Sequence, residues 1–135
     1  MTGPLSLLRL AGAARRHDPA VVGWSWRALR RTRRELRRTT LDEVVLPRPP
    51  SRPGSGAFTV ERVLAWRRAS CLERCVVMQR WYASLGQAVE VTVGVTSPAT
   101  GFRSHAWLSI DPEAAQPSMT VLHRHRPPAH WLTSP

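Results

Sequence analysis

The sequence predicts an α+β fold, N-terminal helices followed by a small antiparallel sheet, on three observations. Apolar residues recur at helical spacing through most of the chain ahead of Gly86. Ser70-Cys71-Leu72-Glu73 has the S-x-x-E pattern with which many helices open. After Gly86 the apolar period drops from roughly 3.6 to roughly 2, the spacing of a strand with one buried face. Helices and strands are therefore segregated along the chain, which is the α+β order.

Each element has its own local signals. Pro4 to Arg16 reads as a short helix, with Leu5, Leu8 and Ala11/Gly12 on one face. Asp18-Pro19 restarts a helix, with Asp18 as N-cap and Pro19 at the first position. Val22, Trp26 and Leu29 carry it through the arginines to about Arg38. Leu46 to Gly56 is too rich in Pro and Gly for helix or central strand and is predicted as a loop. Val60, Val63 and Leu64 begin another helix. In the helix opened by Ser70, residues Leu72, Cys75, Val76, Gln79 and Tyr82 share one face, and Gly86 supplies the stop. Val89, Val91, Val93 and Val95 then alternate with polar or small residues. Pro98 to Gly101 turns the chain into a second strand, Phe102 to Ile110. There Ala106, Leu108 and Ile110 face one way and Arg103, His105, Trp107 and Ser109 the other. Asp111 to Ser118 turns again, Met119 to Leu122 forms a third strand, and the rest is an irregular tail. The organisation is one domain over 1–135: a basic helical part (1–45), a Pro/Gly-rich loop (46–57), a Cys/His-bearing core (58–124) and the tail (125–135).

Composition narrows the classes. The 135 residues, 42% of them apolar, suffice for one modest core. Two cysteines exclude a disulfide-rich secreted scaffold. No apolar run approaches the roughly 20 residues of a membrane span. Leu5 to Ala14 lacks the preceding basic region of a signal peptide and is interrupted by Arg9, so a cytoplasmic protein is expected. The 20 basic residues are all arginine and face 9 acidic ones, a net charge of +11. Twelve of the arginines precede residue 60, and the densest run is Arg30 to Arg38. Such a run is a solvated helix face or a dock for an acidic partner. With only Trp24 and Trp26 as aromatic neighbours and no nucleic-acid motif around it, an acidic protein surface is the expected partner rather than nucleic acid.

The chemistry centres on Cys71. The N–H groups and dipole of a helix N-terminus favour thiolate over thiol, and Cys71 sits at the first helical position. Cys75, one turn on and on the apolar face, is expected to be buried and inert. A cysteine nucleophile needs a base, most often a histidine held by a third group. His105, on the second strand 34 residues later, is the candidate; His17 falls in the first interhelical loop, and His123, His125 and His130 lie near the tail and are expected to be exposed. Two plainer readings compete: both cysteines are core thiols, or Cys71, Cys75, His123 and His125 bind zinc, although C-x-x-x-C with a distant H-x-H is not a recognised structural spacing.

Cys71-Leu72-Glu73-Arg74, a helix ending at Leu85-Gly86, then Val93-Gly94-Val95 and His105-Ala106-Trp107 together resemble the leader peptidase of lasso-peptide biosynthesis. That family is similar to transglutaminases and belongs to the broad class of papain-like cysteine enzymes. The resemblance covers roughly Leu64 to Leu122 and rests on the order and spacing of separate pieces. It implies a papain-like core and a cysteine endopeptidase that removes the leader from a ribosomally made precursor. Cys71 would be the nucleophile and His105 the base and then the acid; Trp107, from its place beside His105 in the sequence, is a candidate wall of the substrate pocket. It implies no metal and no organic cofactor. The implied partners are the precursor peptide, a separate winged-helix protein that grips the leader, and an ATP-dependent cyclase that closes the ring afterwards.

One position departs from the pattern. The family places an aspartate about twelve residues after the histidine, where this chain has Pro117. Gln116 lies nearest and could orient His105 through its amide oxygen. Asp111 is the other candidate orienting residue, but it is six residues from His105, which on a continuous strand is roughly 20 Å and out of reach; Glu113 falls in the turn. The alternative is therefore a catalytically weak or inactive homologue serving as a basic docking subunit; the similarity to transglutaminases adds a third, an acyl transferase working through the same thioester.

Overall fold

In the computed structural model of the protein, residues 17–51, 56–96, 99, 101–115 and 119–132 are described. The predicted helix over Pro4 to Arg16 lies outside them. The first described helix, α1 (Pro19–Leu36), starts as its sequence requires. The Asp18 carboxylate accepts a hydrogen bond from Ala20 N at 2.8 Å, and Pro19 stands at the first position. Its inner stripe is Val21, Trp24, Ser25, Ala28, Leu29 and Thr32. The two buried hydroxyls donate to carbonyls one turn back, Ser25 to Val21 O at 2.7 Å and Thr32 to Ala28 O at 2.8 Å, so neither is stranded. The helix stops at Leu36, two residues before the predicted end, where the N–H groups of Arg38 and Thr39 both turn back to Glu35 O.

A short 3₁₀ turn, Leu41–Glu43, and an extended stretch follow. In the predicted loop, Leu46 packs into the core, as Val44 does just before it. Trp24 Nε1 donates to Pro47 O at 3.0 Å, fixing the stretch against α1. Helix α2 (Gly56–Trp66) takes in the last two residues assigned to that loop.

Helix α3 (Cys71–Ser84) has the predicted capping box. Ser70 Oγ accepts from Glu73 N at 3.2 Å, and the Glu73 carboxylate accepts from Ser70 N at 2.9 Å. At its other end Gly86 adopts φ +77°, a left-handed turn that a residue with Cβ takes at a cost. The buried residues of α3, Cys75 to Trp81 and Ala83, go all round the helix rather than along one face. It is the central element, with α1 and α2 on one side and the sheet on the other. Leu72 and Tyr82, predicted to lie on the inner face, are only partly buried.

The sheet is antiparallel, with β1 (Val91–Val95) between β2 (Ser104–Leu108) and β3 (Thr120–His125). Val91 and Val93 pair with Leu108 and Ala106 on one side and with His125 and His123 on the other. The Gln79 amide nitrogen, buried in α3, donates to Val89 O at 3.0 Å and to His125 O at 2.9 Å, joining the helix to the approach to β1 and to the end of β3.

Three predictions about the strands are corrected. β2 ends at Leu108, so Ile110 lies in the following turn and is 54% exposed instead of facing the core. Trp107, expected on the open face, is buried because Gly94, diagonally across on β1 and paired with His105, leaves room for its ring; a Cβ there would come within 2.8 Å of it. β3 runs to His125, so His123 and His125 are strand residues and His125 is buried. The tail is not wholly irregular either: Ala129–Leu132 forms a short helix, α4, with Trp131 buried against α3. The Arg80 guanidinium lies 5.0 Å from the Trp131 ring.

Candidate active site

The capping box fixes where α3 begins, and so fixes Cys71 at its first residue, half-buried. β2 is an edge strand packed against α3, and it carries His105, also half-buried. Both side chains line one cleft of about 330 Å³, together with Arg74, Ala106, Asp111 and Pro112. The chain thus brings together the thiol and the imidazole singled out from the sequence.

The rest of the cleft is held by a charged network. Arg74 lies one turn into α3, on the same side as Cys71. Its Nε and Nη2 donate to the Glu61 carboxylate of α2, the shortest contact at 2.6 Å. Its Nη1 and Nη2 donate to Asp111 at 2.8 and 3.2 Å. These bonds raise the Arg74 pKa, so the guanidinium is a fixed cation. Burial acts to raise the Asp111 pKa, but hydrogen bonds from Arg74 and from Leu108 N, with the charges of Arg74 and His105, outweigh it and hold the carboxyl below its ordinary value.

Asp111 overturns an expectation. A continuous strand would have carried it away from His105, but β2 stops at Leu108 and Asp111 N bonds back to Leu108 O at 2.9 Å. The carboxylate is thereby returned to the cleft that His105 lines, where it also accepts from Leu108 N at 2.9 Å. Among the described residues its hydrogen bonds go to Arg74 and Leu108 N, with none to His105. Gln116, the other candidate orienting residue, lies outside the described residues. Trp107 is not among the lining residues; its ring stacks on that of His105, with centroids 6.0 Å apart and planes at 26°.

Cys75 is fully buried in the core, and burial pushes its thiol up to about 12. It therefore remains protonated at neutral pH. The Cys/His zinc grouping is not assembled among the described residues, because His123 and His125 gather with Asp42 instead. His125 Nδ1 lies 2.7 Å from Asp42 Oδ1.

Sequence reasoning gave no role to Arg74 or Glu61. Arg74 stood in the quoted Cys71-Leu72-Glu73-Arg74 stretch, three residues from the thiol, which is the signal that marks it. Glu61 had no local signal, since only the packing of α2 on α3 brings it there. The arginine run also reaches the site: Arg33 Nε donates to Glu73 of the capping box at 3.2 Å, and its Nη2 to Arg67 O at 2.8 Å. Arg30, Arg33, Arg34, Arg37 and Arg38 line a shallow hollow of about 320 Å³. A larger hollow of about 500 Å³ beside α4, lined by Glu90, Ser109 and Arg126 among others, contains neither Cys71 nor His105.

A helix-terminal thiol sharing a cleft with an imidazole is suited to nucleophilic acyl transfer. No described helix is long and apolar enough to cross a membrane. A family model described as the transglutaminase-like superfamily matches residues 7–128, a fold compatible with cysteine-peptidase chemistry. No curated protein and no solved structure matches the chain. The match takes in the helix that carries Cys71 and the strand that carries His105, and the helices-then-sheet order agrees with it: the chain belongs to the transglutaminase-like superfamily.

Proposed function

We propose that the protein is a cysteine endopeptidase that removes the leader from a ribosomally made lasso-peptide precursor. The observation that carries the reading is the shared cleft of Cys71 and His105. The motif pieces around them supply the finer assignment, from Cys71 to Arg74 and from His105 to Trp107.

In the proposed reaction the Cys71 thiolate attacks the scissile carbonyl and forms a C–S bond, and the carbonyl π electrons move onto oxygen. N–H groups at the start of α3, that of Cys71 among them, stabilise this oxyanion. The C–N bond then breaks as His105 gives its proton to the leaving amine, which leaves a thioester. His105 next takes a proton from water, whose oxygen attacks the thioester and frees the leader acid and the thiolate. Arg74 and Asp111 do not touch the reacting atoms in this scheme; they hold the first turn of α3 against the end of β2. The leader is presented by a separate winged-helix protein, in the cytoplasm, and an ATP-dependent cyclase acts on the product.

The five-arginine hollow, whose lining includes no carboxylate, favours a second reading: a docking subunit of low or no activity that holds an acidic partner. Precursor cleavage followed by mass spectrometry, with the leader-binding partner present, separates the two. Cleavage lost in folded Cys71→Ala and His105→Ala supports the peptidase, and Gln116→Ala tests the orienting residue. Cleavage undiminished in Cys71→Ala removes the mechanism. Partner binding by a wild-type chain that never cleaves favours docking.

A further inference from the structure

On the far side of the sheet from the cleft strand, β3 carries His123 and His125. They are two residues apart, so the pleat sends both imidazoles to one face. It is the face of their register partners Val93 and Val91. Among the described residues no strand pairs with the outer side of β3, and Asp42 of the 3₁₀ turn Leu41–Glu43 meets its two histidines. Asp42 Oδ1 lies 2.7 Å from His125 Nδ1 and 3.3 Å from His123 Nε2, and one ligand atom from each of the three residues falls within 4.8 Å of the others. The two rings stand 6.4 Å apart and nearly parallel, at 22°. Arg124, between them in sequence, reaches toward Glu90 instead. The cluster is thus free of that cation.

Two imidazole nitrogens and one carboxylate oxygen are the donors that late first-row divalent ions prefer, Zn²⁺ foremost, with water filling the remaining position. Ca²⁺ and Mg²⁺ take oxygen ligands and are poorly suited. The cluster also has a supporting shell: the His125 side chain is only 9% exposed, and its carbonyl is gripped by the buried Gln79 amide at 2.9 Å. We infer that Asp42, His123 and His125 form a binding site for a zinc-like divalent cation. The ion replaces the Asp42–histidine hydrogen bonds with three metal–ligand bonds and takes both imidazoles in their neutral form. None of the three residues lines the Cys71 cleft, so the site is a clip between the 41–43 turn and β3, groups 83 residues apart for the shorter contact. It tethers the segment that follows α1 to the free edge of the sheet.

The test is titration of the purified full chain with ZnCl₂ by calorimetry, with melting followed in parallel. The expected result is one equivalent bound by wild type and by Cys71→Ser alike, with a rise in melting temperature. His123→Ala and Asp42→Asn should each weaken binding by at least the roughly 10–100-fold that loss of a supporting partner costs a metal site. His123 and Asp42 are exposed, so both variants should fold, which circular dichroism checks. Co²⁺ in place of Zn²⁺ should give visible d–d bands without a thiolate charge-transfer band. Failure of wild type to bind, or binding that survives His123→Ala and disappears in Cys71→Ser, would overturn the assignment.

Discussion

Arg74, one turn into the helix that Cys71 opens, is forked onto the carboxylate of Asp111, 37 residues later, at 2.8 and 3.2 Å. The same guanidinium holds Glu61, so one side chain joins α2, α3 and the turn after β2. A bidentate guanidinium fixes both angle and distance, which a lysine ammonium does not. Arg74 therefore ties together the elements that shape the cleft.

Replacement of Arg74 by Met strands two carboxylates and should cost about 1–3 kcal/mol in stability, read by urea unfolding. Arg74→Lys should fold better than Arg74→Met yet recover little activity, because the fork is lost. Asp111→Asn should lower stability at neutral pH. The sign follows from the lowered Asp111 pKa: the stabilisation is present above the ordinary aspartate value of 3.8 and fades as pH falls below it. The difference between wild type and Asp111→Asn should therefore shrink in acid, and a difference that grows there would contradict the paired carboxylate.

The two cysteines should differ sharply toward iodoacetamide. Cys75 is buried with its thiol pushed up to about 12, whereas Cys71 is half-buried at a cleft. Peptide mapping of the folded chain near pH 7 should show alkylation at Cys71 alone, and in urea at both. Cys75→Ala should leave cleavage intact and cost stability on the order of 1 kcal/mol through the small void it opens.

Gly94→Ala should be more harmful than its size suggests. The added Cβ would sit 2.8 Å from the Trp107 ring and 3.1 Å from Thr120 O, a contact with both neighbouring strands. A loss of about 1–3 kcal/mol is expected from such overpacking. Because Trp107 stacks on His105, catalysis should fall as well, by more than the unfolded fraction accounts for.

Charge reversal of Arg34 and Arg37 tests the arginine hollow without touching the cleft. The double Glu variant should bind the leader-binding partner more weakly and with a shallower salt dependence than wild type. Unchanged affinity across salt concentrations would assign the hollow to solvent.

Much of this site was legible because its signals are local. Ser70 and Glu73 satisfy each other three residues apart, so the start of α3 and the place of Cys71 follow from the sequence. The valine alternation around Val91 and Val93 likewise announces its strand before any partner is known. The sequence alone does not place Asp111, because its position depends on where β2 stops, which the turn back to Leu108 decides. Alternation alone puts Trp107 on an open face, because the space above Gly94 exists only once β1 and β2 are paired. The all-round burial of α3 has the same origin: Met78 and Trp81 are covered by helices and strands that no periodicity within α3 could reveal. His123 and His125 looked like tail residues until Asp42 was placed beside them by the tertiary fold.

The central claim is that Cys71 is the nucleophile and His105 its base, and the most direct test is a covalent one. A precursor peptide carrying an electrophilic ketone at the scissile carbonyl would be incubated with the chain and the leader-binding partner, and the adduct located by peptide mass spectrometry. The expected result is one equivalent attached to Cys71 near pH 7, forming much more slowly in His105→Ala and not at all in Cys71→Ala. Attachment to another residue, or none by a wild-type chain that cleaves the unmodified precursor, would contradict it.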